Sequence, residues 1–501
     1  MSEYAAPSVT EDSDEGITLA NRLLAALELE GKPAVVISFG TPYLLSVVPD
    51  APVYLLAWGG AESLQRAAAD ALLGREPVTG RLPISLPPLY ALGEGLRRGG
   101  GRGEPTPRSV DETAEVSPAS VGMDAARLER VDRLIERAIQ DSVTPGAALA
   151  VGRRGHLVRL RGYGRLDWSL ASGAVTDSSL YDLASLTKVI GTTTAIMELV
   201  ETGRLTLTDR IGDYLPEWSE GWKADVRVED LLLHRGGLPP FRPFWRELKG
   251  RRAYRDAIAA LPPDYAVGER TVYSDIGLIT LQFIIETVTG RPLDEVLAAS
   301  VFEPLGMRET GFNPSPDLIS RIAPTEVDTV FRHRHVRGEV HDENAFALDG
   351  VAGHAGLFSS VRDLARFGGW ILAAAREGRG IENAPPASLP AGLPTPSTVA
   401  AFTRRVSDAS SRALGWDTPS GRSSSGRFFT STSFGHTGFT GTSIWVDPQR
   451  DVFVVLLTNR VDPTRAERGH IPLRRAVHDA IATSIRDMPV VPREPDGGGG
   501  R

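Results

Sequence analysis

Cysteine is absent from this chain of 501 residues. Disulfide bonds, thiolate nucleophiles and metal sites held by cysteine are therefore excluded. Long apolar runs are absent too, because none approaches the roughly 20 residues that cross a bilayer. The run from Val452 to Leu457 is typical of the longest, so no membrane span is expected.

Positive charge is in deficit. The formal net charge is −8, whereas binding to nucleic acid regardless of its sequence needs clustered Lys and Arg against the phosphates. The first 15 residues contain five acidic residues and no basic one, which is the opposite of a signal peptide's basic start. We therefore expect no nucleic-acid partner and, for the chain as written, a cytoplasmic location, with export as the alternative.

Lysine is rare, with four residues against 51 arginines. An arginine cannot lose its proton in a protein, whereas a lysine can. Each lysine therefore raises the question of whether its amine takes part in chemistry, although codon bias explains most of them. The four are Lys32, Lys188, Lys223 and Lys249.

The first module, residues 1–93, shows alternating strand and helix patterns. Short apolar runs at 34–39 and 53–57 are typical of buried parallel strands. Residues 17–29 and 61–73 have the apolar spacing of helices. This alternation predicts a small α/β unit, and its short length indicates only part of a domain.

A linker, a larger module and a tail follow. Residues 94–117 are rich in glycine, proline and charge and are expected to form a flexible linker. In residues 118–489, hairpin patterns at 147–161 and 443–457 flank a mostly helical region. This order predicts one antiparallel sheet closed by the two ends of the module, flanked by helices, with a helical subdomain inserted. The glycine-rich residues 490–501 are expected to be a disordered tail.

The first chemical motif is Ser185-Leu186-Thr187-Lys188. Residues 189–200 continue as a helix, so Ser185 is expected near a helix N-terminus. Residues three apart share a helix face, which lets the amine of Lys188 reach the hydroxyl of Ser185. A serine needs a base to become a nucleophile, and a lysine kept partly neutral by burial can serve. A capping serine beside a solvated lysine is the alternative.

The second motif is Tyr273-Ser274-Asp275. A phenol, with a reference pKa of about 10, can act as a base only if a cation stabilises its phenolate. Lys188 is the candidate cation for Tyr273. The alternative is a buried tyrosine whose hydroxyl is satisfied, which is the commoner role of a tyrosine.

The third motif is His436-Thr437-Gly438, followed by Phe439. The pattern is typical of a strand edge at which glycine allows the backbone to come close to a ligand. The N–H of Phe439 would supply a donor there. A histidine in a turn would explain this motif if it stood alone.

The three motifs in this order, S-x-x-K, Y-x-[ND] and [KH]-T-G, form a specific constellation. The second module, from about Pro118 to Ser484, resembles the serine β-lactamase-related family, closest to class C β-lactamases, low-molecular-weight penicillin-binding proteins and the esterases that share their fold. The surrounding sequence resembles the family as well, in residues 267–275, 285–293, 302–307 and 356–359.

The resemblance implies a serine hydrolase that forms an acyl-enzyme. Ser185 would attack a carbonyl, and Lys188 with Tyr273 would shuttle the proton. The N–H groups of Ser185 and Phe439 would bind the oxyanion. The family has an α/β sandwich beside a helical subdomain, with the site in the cleft between them, and it implies neither a metal nor another cofactor. The residues expected at the substrate are Asp275, His436, Thr437, Gly438 and Phe439.

Two positions depart from the family's usual pattern. His436 stands where members that recognise penicillin usually have a lysine, whose fixed charge faces the substrate carboxylate. Histidine, with a reference pKa of about 6.5, is mostly neutral at pH 7, so an esterase, or an amidase for uncharged or larger substrates, gains weight over a β-lactamase or carboxypeptidase. Asp275 stands where asparagine is frequent. An ionised carboxylate only accepts hydrogen bonds, so Asp275 is expected to pair with Lys188 or with an amine of the substrate.

Four polar residues, His341, Asp342, Glu343 and His354, lie close together in the sequence. Their spacing matches no H-E-x-x-H or comparable zinc motif. A structural or cleft-lining loop is therefore expected, and a metal site is the minor alternative.

The first module carries a second resemblance. Residues 32–45, 57–61 and 80–87 are similar to the C-terminal α/β domain of glycoside hydrolase family 3 enzymes of the β-N-acetylhexosaminidase type. The barrel that carries that family's nucleophilic aspartate is missing, and no stretch resembles its K-H-F-P-G-H-G signature. Glycosidase activity is therefore not expected from this chain.

Three functions compete. The leading prediction is a serine acyl hydrolase for an ester or amide, of esterase, β-lactamase or D-amino peptidase type, with a small-molecule or peptidoglycan-derived substrate. The second is a catalytically silent protein that binds peptidoglycan fragments. The third is a remnant of a β-N-acetylhexosaminidase fusion whose barrel is a separate chain. The complete set of three motifs favours the first.

Overall fold

The computed structural model describes residues 114–381, 389–421, 423–466 and 469–493, with separate stretches between residues 22 and 72. The chain forms two compact units, Met1–Val110 and Asp111–Arg501. Among the described residues, no helix combines the length and the apolar character needed to cross a membrane.

The first unit contains a small parallel sheet. Strand β1 (Val36–Ser38) pairs with β2 (Tyr54–Leu56), and helix α1 (Glu62–Leu72) follows. The predicted strand–helix alternation is therefore present, but the prediction of buried strands is wrong. The described residues of the two strands are mostly half-buried, and Val53, next to β2, is 51% exposed. Most of the predicted helix at 17–29 lies outside the described residues.

The second unit has a mixed architecture of strands and helices. Its elements in chain order are α2 (Ala125–Gln140), β3 (Gly146–Arg153), β4 (His156–Gly164), β5 (Leu180–Asp182), α3 (Thr194–Glu201), α4 (Val228–Leu232), α5 (Arg251–Ala259), α6 (Asp275–Thr289), α7 (Leu293–Leu297), β6 (Gly311–Phe312), β7 (Val327–Asp328), β8 (Arg334–His335), α8 (Glu343–Ala347), β9 (Leu357–Ser360), α9 (Val361–Glu377), α10 (Pro396–Thr403), β10 (Phe434–Thr437), β11 (Ser443–Asp447), β12 (Val452–Thr458) and α11 (His470–Ser484).

The main sheet joins the two ends of this unit. Its five strands run in the order β10-β11-β12-β3-β4, and every neighbouring pair is antiparallel. The hairpin of β3 and β4 turns at Arg154 and Gly155, which both have positive φ, 53° and 77°. Glycine adopts that conformation freely. The predicted antiparallel sheet with both ends of the module in it is confirmed.

Alternating side chains of the sheet pack on helices on both faces. On one face, Leu149 and Val454 share a core with α2 and α11. On the other, Ala150 and Val455 share the larger core with α9 and the helical region. Helix α2 begins as predicted at Asp124, whose side chain accepts a hydrogen bond from the N–H of Arg127. An N-cap of this kind satisfies an otherwise unpaired donor.

Two segments expected to be flexible are partly ordered. The N–H of Val116 donates to the carbonyl of Leu157 in β4, and the N–H of Leu160 donates to the side chain of Glu115. The hydrolase unit therefore includes residues that were assigned to the linker by composition alone. At the other end, the N–H of Arg493 donates to the carbonyl of Arg427, so part of the predicted tail is ordered as well.

Candidate active site

Ser185 and Lys188 lie at the start of a buried helical segment. Strand β5 ends at Asp182, a 3₁₀ turn covers Ala184–Leu186, and a π-helical segment, Lys188–Thr193, leads into α3. The Nζ atom of Lys188 donates to the Oγ atom of Ser185 across 2.8 Å. The predicted juxtaposition of these two side chains is therefore present in the fold.

Lys188 is completely buried and has two further oxygen partners. Its Nζ lies 2.8 Å from Oδ1 of Asp275 and donates to the carbonyl oxygen of His354 across 3.0 Å. Burial alone would lower the pKa of Lys188, but the charge of Asp275 and the neighbouring Tyr273 outweigh it, so the pKa is raised. The expectation of a partly neutral lysine is therefore wrong: an anion beside the amine keeps it charged.

Tyr273 lies between two histidine rings just before α6. Its ring centroid is 4.7 Å from that of His234 and 5.9 Å from that of His436, and the Nζ atom of Lys188 is 5.0 Å from it. Ser274 caps α6 by accepting from the N–H of Gly277. The cap places Tyr273 immediately outside the helix and Asp275 in its first turn, so both can face Lys188.

The third motif ends an edge strand against the segment that carries Ser185. Strand β10 is the outer strand of the main sheet. The hydroxyl groups of Thr440 and Thr442 donate to the carbonyls of Asp182 and Leu183. A Cβ atom on Gly438 would lie 2.4 Å from the carbonyl oxygen of Leu183, which explains why glycine is needed here.

Phe439 follows the glycine at the edge of the site. Its side chain is 47% exposed, and its ring stacks on His341 and lies under the guanidinium group of Arg460. Its carbonyl accepts from Nε of Arg460. The N–H of Phe439 makes no hydrogen bond to another backbone group within the described ranges.

His436 is neutral in this environment. Its Nδ1 atom lies 2.9 Å from the carbonyl oxygen of Thr437, so Nδ1 is the protonated nitrogen. Burial first, and then the positive charges of Arg412 and Lys188, hold the pKa of His436 well below its usual 6.5. The ring therefore stays neutral at pH 7, as expected, because it is both desolvated and surrounded by cations.

Arg412 is a charged neighbour that the sequence motifs did not indicate. The Cζ atom of its guanidinium group lies 5.2 Å from the centroid of the Tyr273 ring. Its Nη1 atom is buried and has no hydrogen-bond partner among the described residues. With 51 arginines in the chain, sequence alone offered no signal that singled this one out.

The polar residues around His341 line the base of the same site. Nε2 of His354 lies 2.8 Å from Oδ1 of Asp342, and Nε2 of His341 lies 2.8 Å from the carboxylate of Glu326. The donor atoms of Asp275, Asp342 and His354 lie within 4.8 Å of one another. Lys188, 2.8 Å from Asp275, already places a cation there. This geometry supports the cleft-lining interpretation.

Comparison with known proteins identifies the family. The family model described as Beta-lactamase matches residues 131–479. A protein of Salmonella agona named "Putative D-alanyl-D-alanine carboxypeptidase" is 32% identical over 379 residues, which is 69% of this chain and 85% of the relative. A protein of the same name from Escherichia coli is 31% identical over 408 residues, which is 72% of this chain and 90% of the relative.

Solved structures agree on the fold. A class C β-lactamase has a TM-score of 0.58 and 19% sequence identity, and the match covers 73% of this chain and 98% of that structure. A penicillin-binding protein homologue from Caulobacter crescentus has a TM-score of 0.54 and 23% identity, with coverages of 72% and 99%. The predicted family and fold class are confirmed: the second unit belongs to the Beta-lactamase family of serine hydrolases.

Proposed function

We propose that this hydrolase uses Ser185 as its nucleophile and cleaves acyl compounds whose leaving group carries a carboxylate, as peptides ending in D-alanyl-D-alanine do. The observation that carries the proposal is the Nη1 atom of Arg412, which is buried without a hydrogen-bond partner among the described residues, in a guanidinium group that lies over the ring of Tyr273. The names of the curated relatives point to the same substrate class.

The charge of Lys188 decides how the proton moves. A lysine that is protonated at rest cannot take the proton of Ser185, so Tyr273, whose ring centroid lies 5.0 Å from Nζ of Lys188, is the candidate base. Tyr273 would then accept the proton from Ser185, and Lys188 would give its own proton to the leaving group and regain one from Tyr273. The N–H groups of Ser185 and Phe439 would bind the oxyanion of the tetrahedral intermediate.

Substrate recognition would depend on Arg412 rather than on His436. A neutral His436 offers no fixed charge to a carboxylate, whereas an arginine stays protonated and presents several donors in a plane that fits a carboxylate. Leaving a buried charged donor without a partner is costly, so the resting site favours an anionic ligand. The lysine that penicillin-recognising relatives usually carry would be replaced in this role by an arginine from another segment.

Two substrates and two variants test the proposal. One substrate is a peptide ending in D-alanyl-D-alanine and the other is an uncharged p-nitrophenyl ester. We expect Arg412→Met to lower kcat/KM for the peptide about 100-fold, in the range for loss of one partner of a buried charge pair, and to change ester turnover little. Arg405→Met is the matched control, because Arg405 lies in the same segment but donates to the carbonyls of Ser407 and Ser410.

Each competing function predicts a different result. Equal losses on both substrates would show that Arg412 does not recognise a carboxylate, and turnover of the ester alone would favour the esterase. Peptide binding without turnover in the wild type would favour the catalytically silent protein. The resemblance of the first unit to a hexosaminidase domain stays a prediction, and co-purification of a separate barrel chain would support it.

A further inference from the structure

Asp182 is a buried carboxylate three residues before Ser185. Its Oδ1 atom accepts from the N–H of Ala184 across 2.8 Å, and its Oδ2 atom accepts from the N–H of His341 across 2.6 Å. The side chain is 2% exposed. Burial raises the pKa of Asp182 despite both hydrogen bonds, so an ionised carboxylate here is kept at an energetic cost.

The residue that Asp182 holds has an unusual conformation. Ala184 has a φ of 47°, in the left-handed region that residues with a Cβ atom rarely adopt. It directly precedes Ser185, so its backbone conformation sets the direction of both the hydroxyl and the N–H of the nucleophile. A hydrogen bond from the N–H of Ala184 to the side chain two residues earlier stabilises this turn.

Three segments of the site meet at the same place. The main chain of Asp182 and Leu183 accepts the hydroxyl groups of Thr440 and Thr442, which follow the H-T-G motif. The carboxylate of Asp182 reaches the loop that contains His341 and Asp342. Residues 182–185 therefore connect the nucleophile with the turn that contains Phe439 and with the loop that contains His341 and Asp342.

We infer that Asp182 is a positioning residue, which fixes the strained turn at Ala184 so that Ser185 presents its hydroxyl and its N–H to the substrate. This inference rests on the proposed role of Ser185. An asparagine at position 182 could accept only through its oxygen, and its NH₂ group would face the N–H of Ala184 or of His341. The side chain at position 182 would then lose its hydrogen bond either to Ala184 in the turn or to His341 in the neighbouring loop.

A rescue experiment tests this role. We expect Asp182→Asn to lower kcat for a p-nitrophenyl ester about 10- to 100-fold, the scale for a small misplacement of reacting groups, with little change in KM. Ala184→Gly alone should leave kcat nearly unchanged, because glycine adopts positive φ without strain. In the double variant Asp182→Asn/Ala184→Gly, glycine can adopt the positive φ without the hydrogen bond to Asp182. Part of the lost kcat should therefore return.

Asp363→Asn is the matched control. Asp363 is equally buried, accepts from the N–H of Glu309, and also has a pKa raised by burial. We expect this variant to lose stability but keep kcat per labelled site. Concentrations of competent enzyme come from titration with a fluorophosphonate probe, so a loss of folded protein is not counted as a loss of rate.

The outcomes separate this inference from the proposed function. Undiminished kcat in Asp182→Asn, or a loss that Ala184→Gly does not relieve, would overturn the positioning role alone. Absence of label on wild-type Ser185 would overturn the proposed nucleophile and this inference with it. If Asp182→Asn does not fold, Asp182→Ser with and without Ala184→Gly provides the same test, because it also removes the carboxylate from the turn. The positioning role requires the double variant to recover part of the kcat that the single variant loses.

Discussion

At the scale of single residues, charge decides how the site works. Lys188 is buried, yet it stays protonated because Asp275 lies 2.8 Å away. His436 is buried among cations and stays neutral. Helix spacing indicated that Ser185 and Lys188 meet, and the resemblance to the family indicated that Tyr273 and His436 join them. The neutral His436 agrees with the expectation, whereas the expected partly neutral Lys188 does not, because its pKa depends on Asp275, which lies far away in the chain.

The ion pair between Lys188 and Asp275 predicts separate effects on stability and rate. Lys188→Met leaves Asp275 unpaired, which should destabilise the fold by up to about 3 kcal/mol, the low end for breaking a buried pair, because Asp275 is 21% exposed. Its kcat should fall at least about 100-fold. Adding Asp275→Asn should restore the midpoint of urea unfolding but not kcat. Recovery of activity in the double variant would show that Lys188 has no chemical role.

The pKa of His436 predicts a flat pH profile for substrate choice. The folded-state pKa lies well below 6.5, so the ring remains neutral from pH 6 to pH 8 and its charge does not change there. The ratio of kcat/KM for the carboxylate peptide to that for the neutral ester should therefore stay constant over this range. A ratio that falls as the pH rises through about 6.5, the reference value, would show that His436 titrates as an exposed histidine does.

The same shift predicts a contribution to stability. Because the folded-state pKa of His436 is lower than the unfolded value, folding favours the neutral ring. Stability from this group is fully present above about pH 6.5 and is lost as the pH falls towards the folded-state pKa. Urea unfolding of wild type and His436→Gln at pH 7 and pH 5 measures it, and the wild type should lose more stability than the variant over this interval.

At the scale of elements, the hydrophobic patterns predicted most of the second unit. Both hairpins of the main sheet and helix α2 form close to the expected residues, because alternation and apolar stripes report which face is buried. The π-helical segment Lys188–Thr193 was not predicted, since no local sequence signal distinguishes it from an α-helix. The positive φ of Ala184 was missed as well, since no sequence pattern singled out this turn, in which the N–H of Ala184 donates to the side chain of Asp182.

Close packing between β10 and the Ser185 segment predicts the effect of one methyl group. In Gly438→Ala, the added Cβ atom would lie 2.1 Å from Oγ1 of Thr442 and 2.4 Å from the carbonyl oxygen of Leu183. The turn must shift, so we expect kcat to fall about 100-fold, as misplacement of an oxyanion donor does.

Gly369→Ala in α9 is the control, because no atom lies within 4 Å of its added Cβ. It should keep full activity and gain about 0.5–1 kcal/mol in stability. Equal kcat values for the two variants would contradict a tight contact at Gly438.

At the scale of the whole molecule, the chemistry resides in the second unit, Asp111–Arg501. Every candidate site residue, from Asp182 to Phe439, lies in it. The composition of residues 94–117 indicated a linker but placed its end too late, because composition does not report the backbone bonds that Glu115 and Val116 make to β4.

Two truncated chains test where the hydrolase unit begins. A chain starting at Asp111 should fold and keep kcat/KM, because the candidate site residues all belong to the second unit. A chain starting at Pro118 loses the two hydrogen bonds to β4 and should be less stable by about 1–3 kcal/mol, from the usual net value of each bond. Urea unfolding and ester turnover measure both. An inactive or insoluble chain from Asp111 would show that the first unit is an obligate part of the enzyme.

The most direct test of the account is the site of covalent labelling. Ser185 pairs with a charged, buried Lys188 at 2.8 Å, and an acyl-enzyme mechanism requires it to be the atom that attacks. After incubation with a fluorophosphonate probe, peptide mass spectrometry should locate the added mass on Ser185, and Ser185→Ala should lose both the label and the hydrolysis of ester and peptide. Label on another residue, or wild-type turnover in Ser185→Ala, would contradict the mechanism.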